Sequence, residues 1–390
     1  MRRAVVGGCA LGLATGWNIA NTGAIATPLA ESYGVGLATV GLFTTALFAT
    51  HIVVQIPGGR WSDRYGARRT GLVGLVLIAG FASLSMAAPE AWLALTTRAL
   101  TGIGTGIVFI AGSAYIRAIG GSPAAQGLFG GFGLAGGGAA LAVVPQIEGW
   151  LGWRAPYATA VAIALVALAL VAAAPADELR ERPSREEGLD AGILRDARLY
   201  RVAALYSASL GLSVTVGNWV VTLLDRHGGL DQGAAGAIAA LTLGLAIVTR
   251  PLGGWIRHQH PGRTRAAVGA SLAAGAAGSV LLAVAEPAAV AALGAALVGV
   301  AAGIPFAPAF TGAAALRPDA PAAAVGLVNG AAGAAILVGT PLLGLSFSLP
   351  GDGSIGFLAV AALWIAALVA LPTARQLGAA PSAAPGSRSG

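Results

Sequence analysis

Twelve long apolar segments are the feature that most restricts how this chain can fold. A hydrocarbon core about 30 Å thick is crossed by a helix of roughly 20 apolar residues, and in lipid only structures that satisfy their own backbone hydrogen bonds are stable. Segments of this kind recur along the whole sequence, at 4–30, 37–59, 70–88, 91–117, 124–147, 155–174, 199–223, 233–256, 266–285, 288–315, 322–348 and 354–373. We therefore predict an all-α membrane protein with 12 transmembrane helices.

Composition agrees with this fold class. Of the 390 residues, 56% are hydrophobic and only 10% are charged, which is far from the average of soluble proteins. Two arginines precede the first segment, as in a secretory signal, but the segment runs to about Ala30 and is longer than the apolar region of such a signal. It is therefore predicted to be the first transmembrane helix.

The basic residues predict how the protein is oriented. All 23 are arginines, and with the N-terminus inside only Arg98, Arg154 and Arg226 fall outside the cytoplasmic loops, tails and adjoining helix ends. Because positive charge accumulates in cytoplasmic loops, both termini are predicted to be cytoplasmic, in a multi-pass protein of the cell or inner membrane. The same arginines account for the net charge of +7, so we predict contacts with membrane lipids and none with nucleic acid.

Two glycine pairs lie half a chain length apart. Gly58 and Gly59 end the second segment, and Gly253 and Gly254 lie near the end of the eighth. The chain is therefore predicted to form two pseudo-symmetric six-helix bundles, an arrangement in which transporters bind substrate where the repeats meet. The predicted units are an N-terminal bundle, a polar cytoplasmic linker, a C-terminal bundle and a disordered cytoplasmic tail, at 1–175, 176–198, 199–374 and 375–390.

Charge is concentrated in the loop between the second and third segments, where GGRWSDRYGARRT runs from Gly58 to Thr70. A weaker copy, RPLGGWIRHQHPGRTR, begins at Arg250 and leads from the eighth segment to the ninth. This motif, its position, the half-length repeat and the twelve segments together resemble the major facilitator superfamily of secondary transporters. The resemblance implies alternating access in a monomeric transporter of small molecules, which is not an enzyme and has no cofactor.

The resemblance also implies a gate at the cytoplasmic surface. In this superfamily the loop after the second span acts as a latch, carried here by Gly59, Asp63, Arg64, Gly66 and Arg68. Asp63 is expected to pair with neighbouring helix ends, with Arg117 at the end of the fourth segment as its partner. The latch is expected to open when substrate is released inward. For Arg68, a role in setting the topology alone stays open.

Ionisable side chains at membrane depth predict the substrate class, because such groups are costly in lipid and usually face a cavity. Three cationic side chains lie there, His51, Arg98 and Arg250, whereas every acid falls in a loop or at the end of a segment. This favours an anionic substrate, either an organic acid or a small inorganic anion. His51 is the candidate for coupling to protons, since histidine titrates near neutral pH; a simple hydrogen bond to the backbone is the alternative.

The context of Arg250, RPLGG, resembles that of nitrate and related inorganic-anion porters of the superfamily, where this arginine binds the anion beside a counterpart in the second span. Gln55 stands at the counterpart position, and Leu134 stands where those porters have an asparagine. These departures argue against nitrate and favour a larger or less symmetric anion. A surface-directed Arg250 that only sets topology or gating is the alternative.

Four asparagines complete the predicted binding set. They could donate or accept neutral hydrogen bonds from a ligand, or hold helices together within the membrane; they are Asn18, Asn21, Asn218 and Asn329.

Other functions remain as alternatives at this point. Proton-coupled efflux of a drug or metabolite is the second candidate, and a membrane-embedded enzyme or receptor is the third. The four histidines lack the spacing of metal ligands, so no metal site is predicted.

Overall fold

The computed structural model describes residues 2–120, 123–177, 191–318 and 321–377, and within these ranges the chain forms helices and no β-strand. Most of the predicted linker and almost all of the predicted C-terminal tail lie outside the described residues. A short helix, Ala191–Leu194, precedes the seventh predicted segment. The all-α prediction is confirmed.

Each of the twelve predicted segments contains helix, and we number them spans 1 to 12. Spans 1 to 6, the N-half, are formed by Arg2–Ala20 with Ala26–Tyr33, Leu37–Val53 with Gln55–Tyr65, Ala67–Leu84, Ala91–Ala118, Pro123–Leu151 and Ala155–Ala172. Spans 7 to 12, the C-half, are formed by Ala197–Tyr206 with Ser207–Leu212, Ser213–Gly217 and Val220–Arg226, by Gln232–Gly244 with Ala246–Gln259, and by Thr264–Val284, Ala288–Gly303 with Phe306–Leu316, Pro321–Ser346 and Ser354–Val369.

Apolar length agrees with a membrane location. Eight helical stretches of the described residues are long and apolar enough to cross a bilayer, and one of them, Ala125–Ala172, contains both span 5 and span 6. The apolar helices Leu37–Val53 and Ser354–Val369 are shorter.

Several spans are interrupted near mid-depth. Span 2 breaks at Val54, just before Pro57, and span 8 breaks at Leu245, before Pro251. Span 10 restarts after Pro305. Proline lacks an amide hydrogen and clashes with the preceding turn, which accounts for the interruptions beside Pro57 and Pro305. Pro251 lies inside the helix that follows the break in span 8. Span 7 contains a π-helical stretch, Ser207–Leu212, a geometry that often occurs at functional sites.

The two ends of the helical bundle differ. One end, which we call the basic end, carries the arginine-rich segment 60–69, which is helical except at Gly66. The ends of spans 6 and 12 accept hydrogen bonds from arginines at this end. At the opposite end, the N-half and the C-half are in direct contact: Gly23 of span 1 lies against the backbone of Asn218 in span 7. Thr44 donates a hydrogen bond to Asn218 Oδ1 at 3.2 Å, and Thr45 donates one to the Leu337 carbonyl at 2.8 Å. The bundle is closed at the opposite end.

Small residues permit close packing along the interface of the two halves. Gly138 of span 5 lies against Gly244 of span 8, and a Cβ atom at position 138 would overlap the Gly244 backbone. Within lipid there is no hydrophobic driving force for helices to associate. Close backbone packing at glycine is therefore a main contribution to helix association in a membrane. Spans 5 and 8 thereby hold the two halves together beside the central cavity.

Candidate substrate-binding site

A cavity of about 50 Å³ lies between the two halves and is lined from both of them. Its apolar walls include Phe48 and Phe109 of the N-half and Leu210 of the C-half. Its polar lining consists of Thr15, His51, Gln55, Tyr206, Arg250 and Asn329. Four of the predicted binding residues therefore meet at one cavity, and they come from spans 2, 8 and 11.

Arg250 is the charged group of this cavity. It lies just past the break in span 8, and its side chain is only 4% exposed. Nη1 donates a hydrogen bond to the Gly130 carbonyl of span 5 at 2.6 Å, and the guanidinium carbon lies 4.3 Å from the ring centroid of Phe306. Its Nε is buried and has no hydrogen-bond partner among the described residues. A residue that lines the cavity therefore has one donor that no described group satisfies.

Aromatic side chains hold Arg250 in place. Phe306 begins the helix that restarts after Pro305, and its ring packs against Phe310 at a centroid distance of 4.7 Å. Tyr206, at the start of the π-helical stretch, packs against the same two rings and interacts with the guanidinium. Stacking on an aromatic face suits the planar guanidinium and partly offsets its burial.

His51 lies on the N-half side of the cavity and is 6% exposed. Its Nδ1 is 3.0 Å from Thr105 Oγ1 in span 4. The Thr105 hydroxyl also lies 3.0 Å from the Gly102 carbonyl, to which it can donate its one hydrogen. In that arrangement Thr105 accepts from His51, so that Nδ1 carries the ring hydrogen and Nε2 is the acceptor; in the other tautomer Thr105 donates to Nδ1.

Gln55 and Asn329 form a polar pair across the two halves. Asn329 Nδ2 donates to Gln55 Oε1 at 3.3 Å. Gln55 Nε2 is buried without a partner among the described residues. Like Arg250 Nε, this unsatisfied donor belongs to a residue that lines the cavity.

Arg98 does not line this cavity. It is 1% exposed and donates to three acceptors of the N-half, the Asn18 carbonyl at 2.7 Å, Asn21 Oδ1 at 3.2 Å and the Phe43 carbonyl at 3.4 Å. Asn21 Nδ2 donates in turn to the Pro156 carbonyl at 2.8 Å, and Asn18 Nδ2 to the Ala14 carbonyl at 3.0 Å. This network joins spans 1, 2, 4 and 6 near the opposite end.

Asn218 also lies away from the cavity, at the closed opposite end. Its Nδ2 donates to the Val214 carbonyl at 2.8 Å and its Oδ1 accepts from Thr44. The structure thus places it in the contact between spans 2 and 7.

The predicted latch lies at the basic end. Gly66 has a φ of 91°, a conformation suited to glycine, and the next helix begins directly after it. The Asp177 carboxylate accepts the backbone N–H groups of Ala67 at 2.6 Å and Arg68 at 3.1 Å, and so caps span 3. Arg68 Nε also donates to the Val171 carbonyl at 2.9 Å. The loop is thereby joined to the end of span 6.

The remaining predicted latch residues make other contacts than those with the end of span 6. Gly59 lies within the helix Gln55–Tyr65, and the exposed Arg64 lies over the ring of Tyr65 at 5.3 Å. Arg117 donates to Ser113 Oγ at 2.8 Å. The side chain of Asp63 lies outside the described part of the structure, so its pairing with Arg117 stays a prediction.

Sequence reasoning missed several residues of the site. In the sequence alone, Tyr206 and Phe306 resemble ordinary apolar positions of spans 7 and 10, and Thr105 resembles a small residue of a packed helix. Asp177 was one of many linker acids. A partial signal existed for Phe306, because Pro305 directly before it indicates an interrupted helix at mid-depth.

Comparison with known proteins identifies the family. The sequence model of the Major Facilitator Superfamily matches residues 6–340. A point mutant of the nucleoside transporter NupG has a TM-score of 0.76 at 13% identity, over 94% of this chain and 98% of that chain. The human organic anion transporter MFSD10 has a TM-score of 0.67 at 18% identity, over 95% and 99%.

These two structures show a shared fold, and at such identities nothing finer. No curated protein matches the sequence. The family match extends over most of the chain, from span 1 into span 11. The chain is therefore a membrane transporter, not an enzyme, and it belongs to the Major Facilitator Superfamily.

Proposed function

We propose that this transporter binds a small anion at Arg250 and takes it up by alternating access, together with protons. One observation carries the proposal: Arg250, which is 4% exposed, lines the cavity, and its Nε has no hydrogen-bond partner in the described part of the chain. A buried cation needs compensation, and an unpaired buried donor costs free energy. An anionic oxygen in the cavity would compensate the positive charge and would accept a hydrogen bond from the unpaired donor.

The absence of a competing carboxylate supports this proposal. Among the described residues, the one ion pair is Asp196 with Arg198, at the very start of span 7 and exposed at Arg198. Neither Arg250 nor Arg98 therefore has an acidic partner in that part of the chain. Arg98 differs because all of its nitrogens have hydrogen-bond acceptors within the N-half. Arg250 is the buried cation that is left for a ligand.

The closed opposite end supports a proposed path for release of the anion. With both termini in the cytoplasm, as the arginine distribution predicts, the closed end faces outward. The anion would then leave through the basic end when Arg250 separates from Gly130 and the latch around Gly66 moves. His51 is the proposed proton carrier, since no acid of the described residues lines the cavity.

The fold itself does not decide the substrate. The same architecture is found in a nucleoside transporter and in an organic anion transporter. Efflux of a lipophilic drug or metabolite is the alternative, and the experiment below separates it from anion uptake.

The test is thermal stabilisation of the purified protein by acetate, nitrate and a lipophilic phosphonium cation. A ligand that binds only the folded state stabilises it by about 2.7 kcal/mol at a hundredfold excess over its dissociation constant. We expect stabilisation by an anion, and its loss in Arg250→Ala. Stabilisation by the phosphonium cation that is equal in Arg250→Ala would overturn the proposal in favour of efflux.

Proton coupling is tested separately in proteoliposomes. Uptake of the stabilising anion should increase when the outside is made acidic, and this increase should be lost in His51→Phe. Uptake by the unaltered protein that is insensitive to the pH gradient would refute symport while leaving anion transport intact.

A further inference from the structure

The polar groups around the cavity differ in what they offer a ligand. Two of them, Arg250 Nε and Gln55 Nε2, are buried donors that have no hydrogen-bond partner among the described residues. In the tautomer whose Nδ1 hydrogen is directed to Thr105, His51 offers Nε2 as an acceptor, and Nε2 makes no hydrogen bond within the described residues. A ligand that satisfies the whole cavity therefore needs both an anionic acceptor and a hydrogen-bond donor.

The donor of such a ligand is uncharged. No aspartate or glutamate lines this cavity in the described part of the chain, so an ammonium group would be buried beside Arg250 without compensation. A hydroxyl group donates one hydrogen to His51 at no such cost. This separates hydroxy acids from amino acids of the same size.

The size of the cavity limits the ligand further. One water molecule occupies about 10–15 Å³ of such volume, so the cavity of about 50 Å³ holds roughly four water-sized groups. A carboxylate with one further carbon and a hydroxyl is close to that size. A second carboxylate would exceed the space and would face no second cation, since Arg98 lies outside the cavity.

We propose that the substrate class is the short 2-hydroxy monocarboxylates, with the carboxylate at Arg250 and Gln55 and the hydroxyl donating to His51 Nε2. This inference rests on the anion site proposed above and specifies its ligand. It requires His51 to be neutral when the substrate binds, because a proton on Nε2 would turn the acceptor into a donor. In symport the proton then reaches His51 after the substrate has bound, when the hydroxyl oxygen can accept the hydrogen on Nε2.

The test compares three ligands that differ at a single carbon: glycolate with a hydroxyl, acetate with a hydrogen and glycine with an ammonium group. Half-saturating concentrations are measured by thermal stabilisation of the intact purified protein at neutral pH. We expect glycolate to bind roughly tenfold more tightly than acetate, because acetate leaves a buried acceptor unpaired. Glycine should be the weakest of the three.

Two variants assign the preference to His51. In His51→Phe, the preference for glycolate over acetate should be lost. In Thr105→Val the ring is free to adopt either tautomer, so the preference should shrink; this variant serves if His51→Phe does not fold.

The outcomes separate this inference from the function on which it rests. Equal binding of glycolate and acetate by the unaltered protein, both lost in Arg250→Ala, would overturn the hydroxy-acid assignment and leave the anion site standing. A preference for glycolate that survives in both His51 and Thr105 variants would also overturn it. Failure of every anion to bind through Arg250 would refute both proposals.

Discussion

At the residue scale, the same side chain is used in two ways. Arg98 and Arg250 are both buried within the helical bundle, yet Arg98 donates to three acceptors, whereas Arg250 Nε has no partner among the described residues. A guanidinium in which every nitrogen has an acceptor acts as a structural connector. One with an unused donor at a cavity is available to a ligand.

Arg98→Gln should therefore reduce stability and spare binding. The change leaves acceptors on Asn18, Asn21 and Phe43 without a donor, at a cost of roughly 2–4 kcal/mol. The melting temperature should fall by several degrees, while the affinity for the stabilising anion, measured well below that temperature, should be unchanged. A loss of affinity with normal stability would instead make Arg98 part of the binding site.

Arg250→Lys should give the reverse pattern. Lysine keeps the charge but loses the planar fork that bonds Gly130 and stacks on Phe306. Anion affinity should fall about tenfold with little change in melting temperature. Binding that is equal to that of the unaltered protein would show that charge alone is recognised.

At this scale, sequence patterns predict only some features of the site. The depth of His51 and Arg250 can be read from their positions within apolar segments, because a helix converts residue number into depth. The hydrogen bonds from Arg98 to Asn18 and Asn21 cannot be predicted in this way, because they depend on how spans 1 and 4 pack. The tautomer of His51 likewise depends on Thr105, which lies in another span.

At the element scale, the interrupted helices position the site. His51 and Gln55 flank the break in span 2, and Arg250 and Phe306 follow the breaks in spans 8 and 10. A broken helix frees backbone groups and redirects side chains, and transporters commonly build their sites there. Proline alone does not predict these breaks, because Pro145 and Pro341 lie inside continuous helices, and the π-helical stretch of span 7 has no sequence signal at all.

Capping of span 3 by Asp177 gives the prediction at this scale. Asp177→Ala removes the acceptor for two backbone N–H groups and should cost about 1 kcal/mol of stability. Hydrogen exchange at the amides of Ala67 and Arg68 should become faster, which directly reports the loss of the cap. The exchange rate in Asp177→Asn, which keeps one acceptor oxygen, should lie between the rates of the unaltered protein and of the alanine variant. Exchange that is unchanged in the alanine variant would argue against the cap.

At the scale of the whole molecule, the halves are closed at the end opposite the basic one. Twelve spans and a half-length repeat predicted the architecture, because apolar length and glycine spacing are properties of the chain itself. Which end is closed was beyond the sequence, since the same residues must form both states of an alternating carrier. Contacts such as Thr44 with Asn218 belong to only one of them.

Joining that pair covalently should arrest transport. With Cys9, the one native cysteine, replaced by serine, Thr44→Cys and Asn218→Cys can be bridged by a short cleavable bis-thiol reagent. We expect anion uptake to stop on bridging and to recover on cleavage, because the closed end can no longer open. Either single-cysteine protein treated with the reagent is the control, and continued uptake by the bridged protein would contradict the assignment.

The hydrogen bond from Arg250 to Gly130 has a kinetic consequence. It joins span 8 to span 5 across the two halves, so the group proposed to hold the anion also holds the empty carrier shut. A bound anion competes with the Gly130 carbonyl for the guanidinium, and the loaded protein should change state more readily than the empty one. Return of the empty carrier would then limit net flux. Labelled anion should consequently enter vesicles faster when unlabelled anion is already inside, and the protein would work best as an exchanger of one acid for another.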